Sequence, residues 1–174
     1  MDIRVFQKKD GSIVQIIDKE KMEDWPVELP LIFIEYIKSN QLKSYDDNNL
    51  RKEVESYLDE VLNEVAIPRL IHLLESDKED KILEALIRLE ELSKKNIDQM
   101  EPIKPYLTKL TSLKNEEIQN LLEKISDRFG REEKRKELAT KRKLMQQKEK
   151  DFLEGKISSE EYAKIRKEYL LLRG

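Results

Sequence analysis

The chain has 174 residues, of which 38% are hydrophobic and 41% are charged, and its formal net charge is −3 at pH 7. Charged residues usually make up about 25% of a soluble domain, so this composition predicts a thin core under a large solvated surface. The absence of cysteine excludes disulfides, thiol nucleophiles and thiolate metal sites. No apolar run approaches the ~18 residues of a membrane span, and the N-terminus lacks the apolar stretch of a secretory signal, so we expect a cytoplasmic protein.

The charge is divided unevenly along the chain. Residues 1–130 carry 20 basic and 28 acidic residues, whereas residues 131–174 carry 14 basic and 9 acidic ones. The two parts therefore have net charges of −8 and +5. This asymmetry predicts an acidic body with a basic C-terminal extension.

Residues 1–20 predict a β-hairpin. The β-prone runs "IRVFQ" and "SIVQIID" flank "KKDGS", whose Asp10-Gly11 pair is typical of a two-residue turn because glycine tolerates positive φ. An isolated hairpin is marginally stable in water. We therefore expect this hairpin either to cap the helices that follow or to pair with a strand of another protein.

Residues 25–129 predict about three helical pairs. Pro30, Pro68 and Pro105 are spaced 38 and 37 residues apart, and each precedes a short apolar helix. Each of these helices is followed by a second one with apolar residues at i, i+3, i+4 and i+7. The three sets are Val54, Tyr57, Leu58 and Val61; Ile82, Ala85, Leu86 and Leu89; and Ile118, Leu121, Leu122 and Ile125.

Polar residues mark the starts of two of these second helices. "ESDKED" before Ile82 and "KNEE" before Ile118 place Asp or Asn at N-cap positions, with acidic residues in the first turn. A unit of this size cannot bury its apolar face alone, so stacked copies are needed. The pattern predicts a short helical solenoid.

The stretch "IPRLIHLL" followed by "EALIRLEEL" resembles the HEAT/armadillo class of helical repeats, over about residues 26–129. The resemblance implies an all-α, right-handed-type α-solenoid. It also implies that the protein is an adaptor or scaffold for protein–protein interaction, which is an inference by analogy.

Residues 131–174 predict a charged helix followed by a helical hairpin. "REEKRKELATKRKLMQQKEKD" predicts a solvated helix, and "DFLEGKISSEEYAKIRKEYLLL" predicts the hairpin. Gly155 ends the first helix of that hairpin, and Ser158-x-x-Glu161 forms a capping box for the last helix. The apolar stripe of that last helix is Tyr162, Ile165, Tyr169 and Leu172. The layout "LxxGxIxxEEYxxIRxxYL" resembles short C-terminal modules of the SHOCT type, which implies a role in oligomerisation.

The 37 Asp and Glu residues show no spacing that indicates catalysis or metal binding. His72 is the only histidine, and it points away from the core positions Leu70, Ile71 and Leu74, so we expect it at the surface. The chain has no GxGxxG, P-loop, GxSxG or HExxH motif. We expect a non-enzymatic protein that uses no cofactor or metal, and we expect Trp25 to cap one end of the core.

The first candidate binding surface lies on the helix that carries Ile82 and Leu86. At 100° per residue, Leu83 and Ile87 fall well away from the core face. Either neighbouring elements cover them, or they form an apolar centre that binds a basic amphipathic helix of a partner. The predicted partner-binding residues, including an acidic rim, are Leu83, Ile87, Glu84, Glu91 and Glu123.

The second candidate surface is a run of basic residues between positions 134 and 148. Its members are Lys134, Arg135, Lys136, Lys141, Arg142, Lys143 and Lys148. Such a run suits phosphates of nucleic acid or ribosomal RNA, an acidic protein (including this chain's own acidic body), or simply a solvated helix. It has no interleaved aromatic residues, which argues against stacking on bases of single strands. A ribosome- or nucleic-acid-associated factor is therefore the alternative to the adaptor.

Overall fold

A computed structural model describes residues 3–173. The described chain is mostly helical with a small antiparallel β-hairpin at its N-terminus, which confirms the predicted content. The chain divides into two compact units, one up to Leu122 and one from Glu123 onward. Within the described residues, no helix combines the length and the apolar character needed to cross a membrane.

The hairpin precedes the helices in the chain. The strands and α-helices are β1 (Ile3–Gln7), β2 (Ile13–Ile17), α1 (Glu28–Tyr36), α2 (Asn48–Val61), α3 (Ile67–Leu74), α4 (Glu79–Ser93), α5 (Lys104–Leu110), α6 (Glu116–Leu153) and α7 (Ser159–Arg173). Short 3₁₀ segments occupy Lys19–Met22, Leu42–Ser44 and Ile97–Ile103, and π-helical segments occupy Ile37–Gln41 and Leu62–Ala66.

The turn of the hairpin is one residue longer than predicted. The N–H of Lys8 donates to the carbonyl of Ser12 at 2.8 Å, which leaves a three-residue loop rather than a two-residue one. Gly11 closes this loop with a φ of +82°, which favours glycine. The Asp10 carboxylate accepts hydrogen bonds from the hydroxyl and the N–H of Ser12, and these bonds lower the pKa of Asp10.

The hairpin packs on α2, as expected if it caps the helices that follow it. Phe6 is buried, and its ring centroid lies 6.0 Å from that of Tyr57. The Tyr57 hydroxyl donates a hydrogen bond of 2.7 Å to the carbonyl of Ile17. At the edge of this contact, Arg4 pairs with Glu60 at 3.0 Å.

We expect Tyr57→Phe to lower the free energy of unfolding by about 1 kcal/mol at neutral pH, because the Ile17 carbonyl loses its donor. Burial raises the pKa of Tyr57 to about 12. In the unfolded chain the phenol ionises near its ordinary pKa of about 10, so the wild type loses stability as the pH rises from there towards 12. The variant has no such ionisation, and the stability difference should shrink over that range. Urea denaturation across these pH values measures it, and a constant difference would contradict the assignment.

The boundary between the first two predicted helical pairs differs from the prediction. Pro68 does not begin a separate helix, because α2 continues through the π-helical segment Leu62–Ala66 into α3. Proline lacks an N–H, and its ring crowds the carbonyl four residues earlier. The helix therefore widens locally, with the N–H of Ile67 bonded to the carbonyl of Leu62. The chain thus has no break between these two pairs, and the solenoid arrangement stays a prediction.

The predicted apolar faces are confirmed as core positions. All four residues of the α2 set and all four of the α4 set are buried. In α6, Ile118, Leu122 and Ile125 are buried, and Leu121 is half-buried. Helical periodicity alone was sufficient to find these positions because each face is set within a single helix.

The two predicted N-caps have different outcomes. The Asn115 side chain accepts hydrogen bonds from the N–H groups of Glu117 and Ile118, at 3.1 and 3.2 Å, and so caps α6 as predicted. At α4 the predicted aspartate cap is wrong. Lys78 occupies the N-cap position without a side-chain bond to the helix, and its N–H donates to the Ser76 hydroxyl.

The second unit contains a helical hairpin formed by α7 and the part of α6 from Glu123 onward. Gly155, with a φ of +73°, ends α6, and the N–H of Lys156 donates to the Asp151 carbonyl at 2.8 Å. The Ser158 hydroxyl accepts from the N–H of Glu161 at 3.2 Å, which is one bond of the predicted capping box. The rings of Phe152 and Tyr162 stack at 5.2 Å. The predicted stripe of Tyr162, Ile165, Tyr169 and Leu172 is half-buried.

Candidate protein-binding surfaces

The predicted α4 surface contains one clearly exposed apolar side chain. Ile87 is 44% exposed, whereas Leu83, one turn earlier, is half-buried. Glu84 and Glu91 are exposed on the same helix. Glu91 and Glu90 both pair with Lys94, and these carboxylates raise the pKa of Lys94, with Glu91 the larger cause. The α4 surface is thus a small apolar spot among charges.

Glu123, the fifth predicted partner-binding residue, belongs to the second unit. It is exposed on α6. Its contribution to the same acidic rim therefore stays a prediction.

Several members of the basic run are engaged by acidic residues of the second unit. Lys141 pairs with Glu168 at 3.5 Å and Lys148 with Glu161 at 3.4 Å, so both help to join α6 to α7. Arg135 makes a two-pronged contact with Glu132 on its own helix, at 2.7 and 2.6 Å.

The rest of the basic run is exposed. Lys134, Arg142 and Lys143 have no salt bridge within residues 3–173, and Lys136 is also exposed. Exposed ion pairs contribute only about 0–1 kcal/mol each, so the paired members remain open to competition by phosphate. The run is nevertheless not a single free cationic stripe.

The outer side of α1 is an apolar surface that was not among the predicted binding surfaces. Leu29, Ile32 and Tyr36 are 39%, 57% and 54% exposed, while Pro30 and Ile34 on the opposite side are buried. The three exposed residues follow i, i+3, i+7 spacing and so share one side of the helix. We call these three residues the α1 stripe. The sequence did carry a signal for it, because "LIFIEY" is apolar around nearly the whole helix.

A groove lies between residues 19–27 and the helix that continues through the π-helical segment into α3. Its volume is about 660 Å³. Apolar side chains that include Trp25, Val65 and Leu73 line it, together with the carboxylates of Glu20 and Glu23. We call it the Trp25 groove.

Two basic residues hold the wall of the Trp25 groove. The guanidinium of Arg69 donates hydrogen bonds to the backbone carbonyls of Met22, Glu23 and Trp25. Lys19 donates to Glu64 at 2.6 Å and to Glu60 at 3.3 Å, and its contact with Glu64 is the largest cause of its raised pKa. Both cations are therefore occupied within the protein.

Trp25 and His72 both line the Trp25 groove. The Trp25 ring meets Phe33 edge-on, with centroids 6.0 Å apart, and it is half-buried, as a residue at the end of the core would be. His72 is exposed, as predicted, and lies at the groove. The sequence did not predict the groove because its two sides, which include Val27 and Glu64, are at least 37 residues apart in the chain.

Within residues 3–173, no group of three or more His, Asp or Glu side chains is arranged to hold a metal ion. Comparisons with models of protein families, with curated proteins and with solved structures found no match to this chain. The resemblances to HEAT/armadillo repeats and to SHOCT-type modules therefore stay predictions.

Proposed function

We propose that the protein is a non-enzymatic adaptor whose helical body binds a protein partner through exposed apolar side chains. The α1 stripe is the observation that carries this proposal, because it places three large apolar side chains side by side in solvent. Contiguous exposed apolar patches on soluble proteins commonly mark interaction sites. A few buried anchors usually supply most of the binding energy of an interface, about 2 kcal/mol or more each.

The α4 surface adds a second contact of different character. Ile87 is surrounded along its helix by the exposed carboxylates of Glu84 and Glu91. An apolar spot with acidic neighbours favours a partner helix that has an apolar face with basic flanks. The adaptor would therefore bind a basic amphipathic helix at α4.

We expect Ile32→Glu and Ile87→Glu each to abolish capture of the partner while leaving thermal unfolding nearly unchanged. Both side chains are exposed, and surface substitutions usually change stability by no more than about 0.5 kcal/mol. The measurement is affinity purification of the full chain from lysate with quantitative mass spectrometry. Lys52→Glu, on the exposed side of α2, introduces the same residue at a polar position and serves as the control.

Two outcomes would contradict this proposal. If either glutamate variant unfolds at a much lower temperature, that isoleucine is a core residue and its surface is not a binding site. If both variants retain every protein that the wild type and Lys52→Glu capture, neither helix is the binding surface.

The alternative function is binding to nucleic acid or to the ribosome. Exposed Lys134, Arg142 and Lys143, which have no salt bridge within the described residues, are the observation in its favour. Nuclease treatment of the lysate separates the two functions in the same purification. Partners that persist after nuclease support the adaptor, whereas partners that disappear with nuclease and with Arg142→Gln/Lys143→Gln support the alternative.

A further inference from the structure

We infer that the Trp25 groove binds an arginine-containing peptide segment of a protein partner. The inference deepens the proposed function by giving a partner chemistry for a surface other than the α1 stripe and α4. The groove is the right size, since its volume of about 660 Å³ falls within the roughly 300–1,000 Å³ of known ligand clefts. Because Glu20, Glu23 and His72 along it are exposed, it is an open groove that accepts a chain segment.

The charge around the groove favours a cationic guest. Glu20, Glu23 and Glu64 line the groove and Glu60 lies beside it, against the cations of Lys19 and Arg69. Lys19 is held by Glu60 and Glu64, and Arg69 is held by backbone carbonyls.

The carboxylates of Glu20 and Glu23 make no ion pair or hydrogen bond within residues 3–173. They are therefore available to a cation from outside the protein.

The aromatic lining of the groove favours arginine over lysine as the bound cation. Trp25 is half-buried in the groove lining, with Phe33 against its ring. Indole is the best aromatic partner for a cation, and arginine stacks on such rings more often than lysine does. The carboxylates of Glu20 and Glu23 line the same groove as Trp25, and Val65 and Leu73 offer an apolar surface to the neighbouring residue of the peptide.

The backbone in the wall of the Trp25 groove departs from regular α-helix, which supports a functional role for the groove. The groove wall includes Glu64 and Val65 of the π-helical segment and Pro68 just beyond it. Interruptions of this kind inside helices are found frequently at functional sites. Here the widened turn displaces Glu64 and Val65 from the positions that a regular helix would give them.

Trp25 also provides the readout, because it is the only tryptophan of the chain. The probe is a short labelled peptide without tryptophan in which arginine and leucine alternate, titrated into the full-length protein. Fluorescence anisotropy of the label gives the affinity, and the emission of Trp25 reports occupancy of the groove. A peptide with glutamate in place of each arginine is the charge control.

We expect the arginine peptide to bind and to change the Trp25 emission, and we expect Glu20→Lys/Glu23→Lys to weaken binding about tenfold or more. The matched control is Glu53→Lys/Glu55→Lys, which makes the same charge change on exposed residues of α2. That control should weaken binding much less.

Four results would overturn the inference: no binding of the arginine peptide, equal binding of the glutamate peptide, no change in Trp25 emission at saturation, or equal weakening by both double variants. Because the probe is a defined peptide, these results are separate from the capture experiment with Ile32→Glu and Ile87→Glu. Failure of the groove would therefore leave the adaptor function standing, on which the inference rests.

Discussion

Replacing Leu86 with alanine should lower the free energy of unfolding by about 2–5 kcal/mol, the range measured for leucine-to-alanine changes in cores. Leu86 is fully buried, and so are its helix neighbours Ala85 and Leu89. The lost side chain leaves a cavity in the core, which the surrounding structure fills only in part. In a chain with 41% charged residues the core is thin, so this cost is a large fraction of the total stability, which is commonly about 5–15 kcal/mol. Thermal and urea denaturation would measure it.

His72→Ala is the matched control for Leu86→Ala. His72 is exposed on α3, so its removal should change the free energy of unfolding by no more than about 0.5 kcal/mol. Equal destabilisation by the two substitutions would show that Leu86 does not face the core. The assignment of the core-facing side of α4 would then be wrong.

The features that the sequence predicted correctly are those decided within one or two turns of chain. Gly155 ends α6 because its positive φ suits glycine, and Asn115 caps α6 with a side chain that reaches only two or three residues ahead. The apolar face of α4 is likewise fixed by spacing inside one helix. None of these three features depends on a contact with a distant part of the chain.

Pro68 shows where local rules were insufficient. Proline is common in the first turn of a helix and is tolerated inside a helix only at a cost in stability, so the sequence alone favoured the first position for Pro68. The buried residues on both sides of it, Leu62, Ala66, Ile67 and Leu70, keep one face continuous across the junction. Burial of that face stabilises a single long helix, and the π-helical segment accommodates the proline.

The candidate sites were harder to predict because they depend on contacts between residues that are distant in the chain. The pairing of Lys141 and Lys148 was not predicted because their acidic partners, Glu168 and Glu161, lie on another helix. The Trp25 groove depends on Arg69 reaching carbonyls more than 40 residues away. Every residue has a backbone carbonyl, so no pattern of side chains in the sequence could have indicated which carbonyls accept hydrogen bonds from Arg69.

Arg69→Ala should loosen residues 19–27 and destabilise the first unit by about 2 kcal/mol or more. Hydrogen bonds from a charged donor contribute about 1.5–3 kcal/mol each when they are shielded from water, and half-buried Arg69 makes bonds to three carbonyls. Without the guanidinium, the carbonyl of Trp25 can be satisfied only by water, which must enter beside the indole. The emission of Trp25 should therefore shift to longer wavelength in the folded protein, and amide hydrogen exchange should accelerate in residues 19–27.

Arg69→Lys separates the geometry of the contact from its charge. Lysine keeps the positive charge but offers a single ammonium in place of a planar fork, so it cannot span three carbonyls in the way that the guanidinium does. Its effects should therefore resemble those of Arg69→Ala more than those of Arg88→Ala, which removes an exposed guanidinium of α4 and should leave the Trp25 emission unchanged. If Arg69→Lys behaves like the wild type, charge alone holds the segment. If Arg69→Ala leaves both the emission and the exchange unchanged, Met22 and Trp25 hold the groove wall through their packing, and the hydrogen bonds of Arg69 do not determine its position.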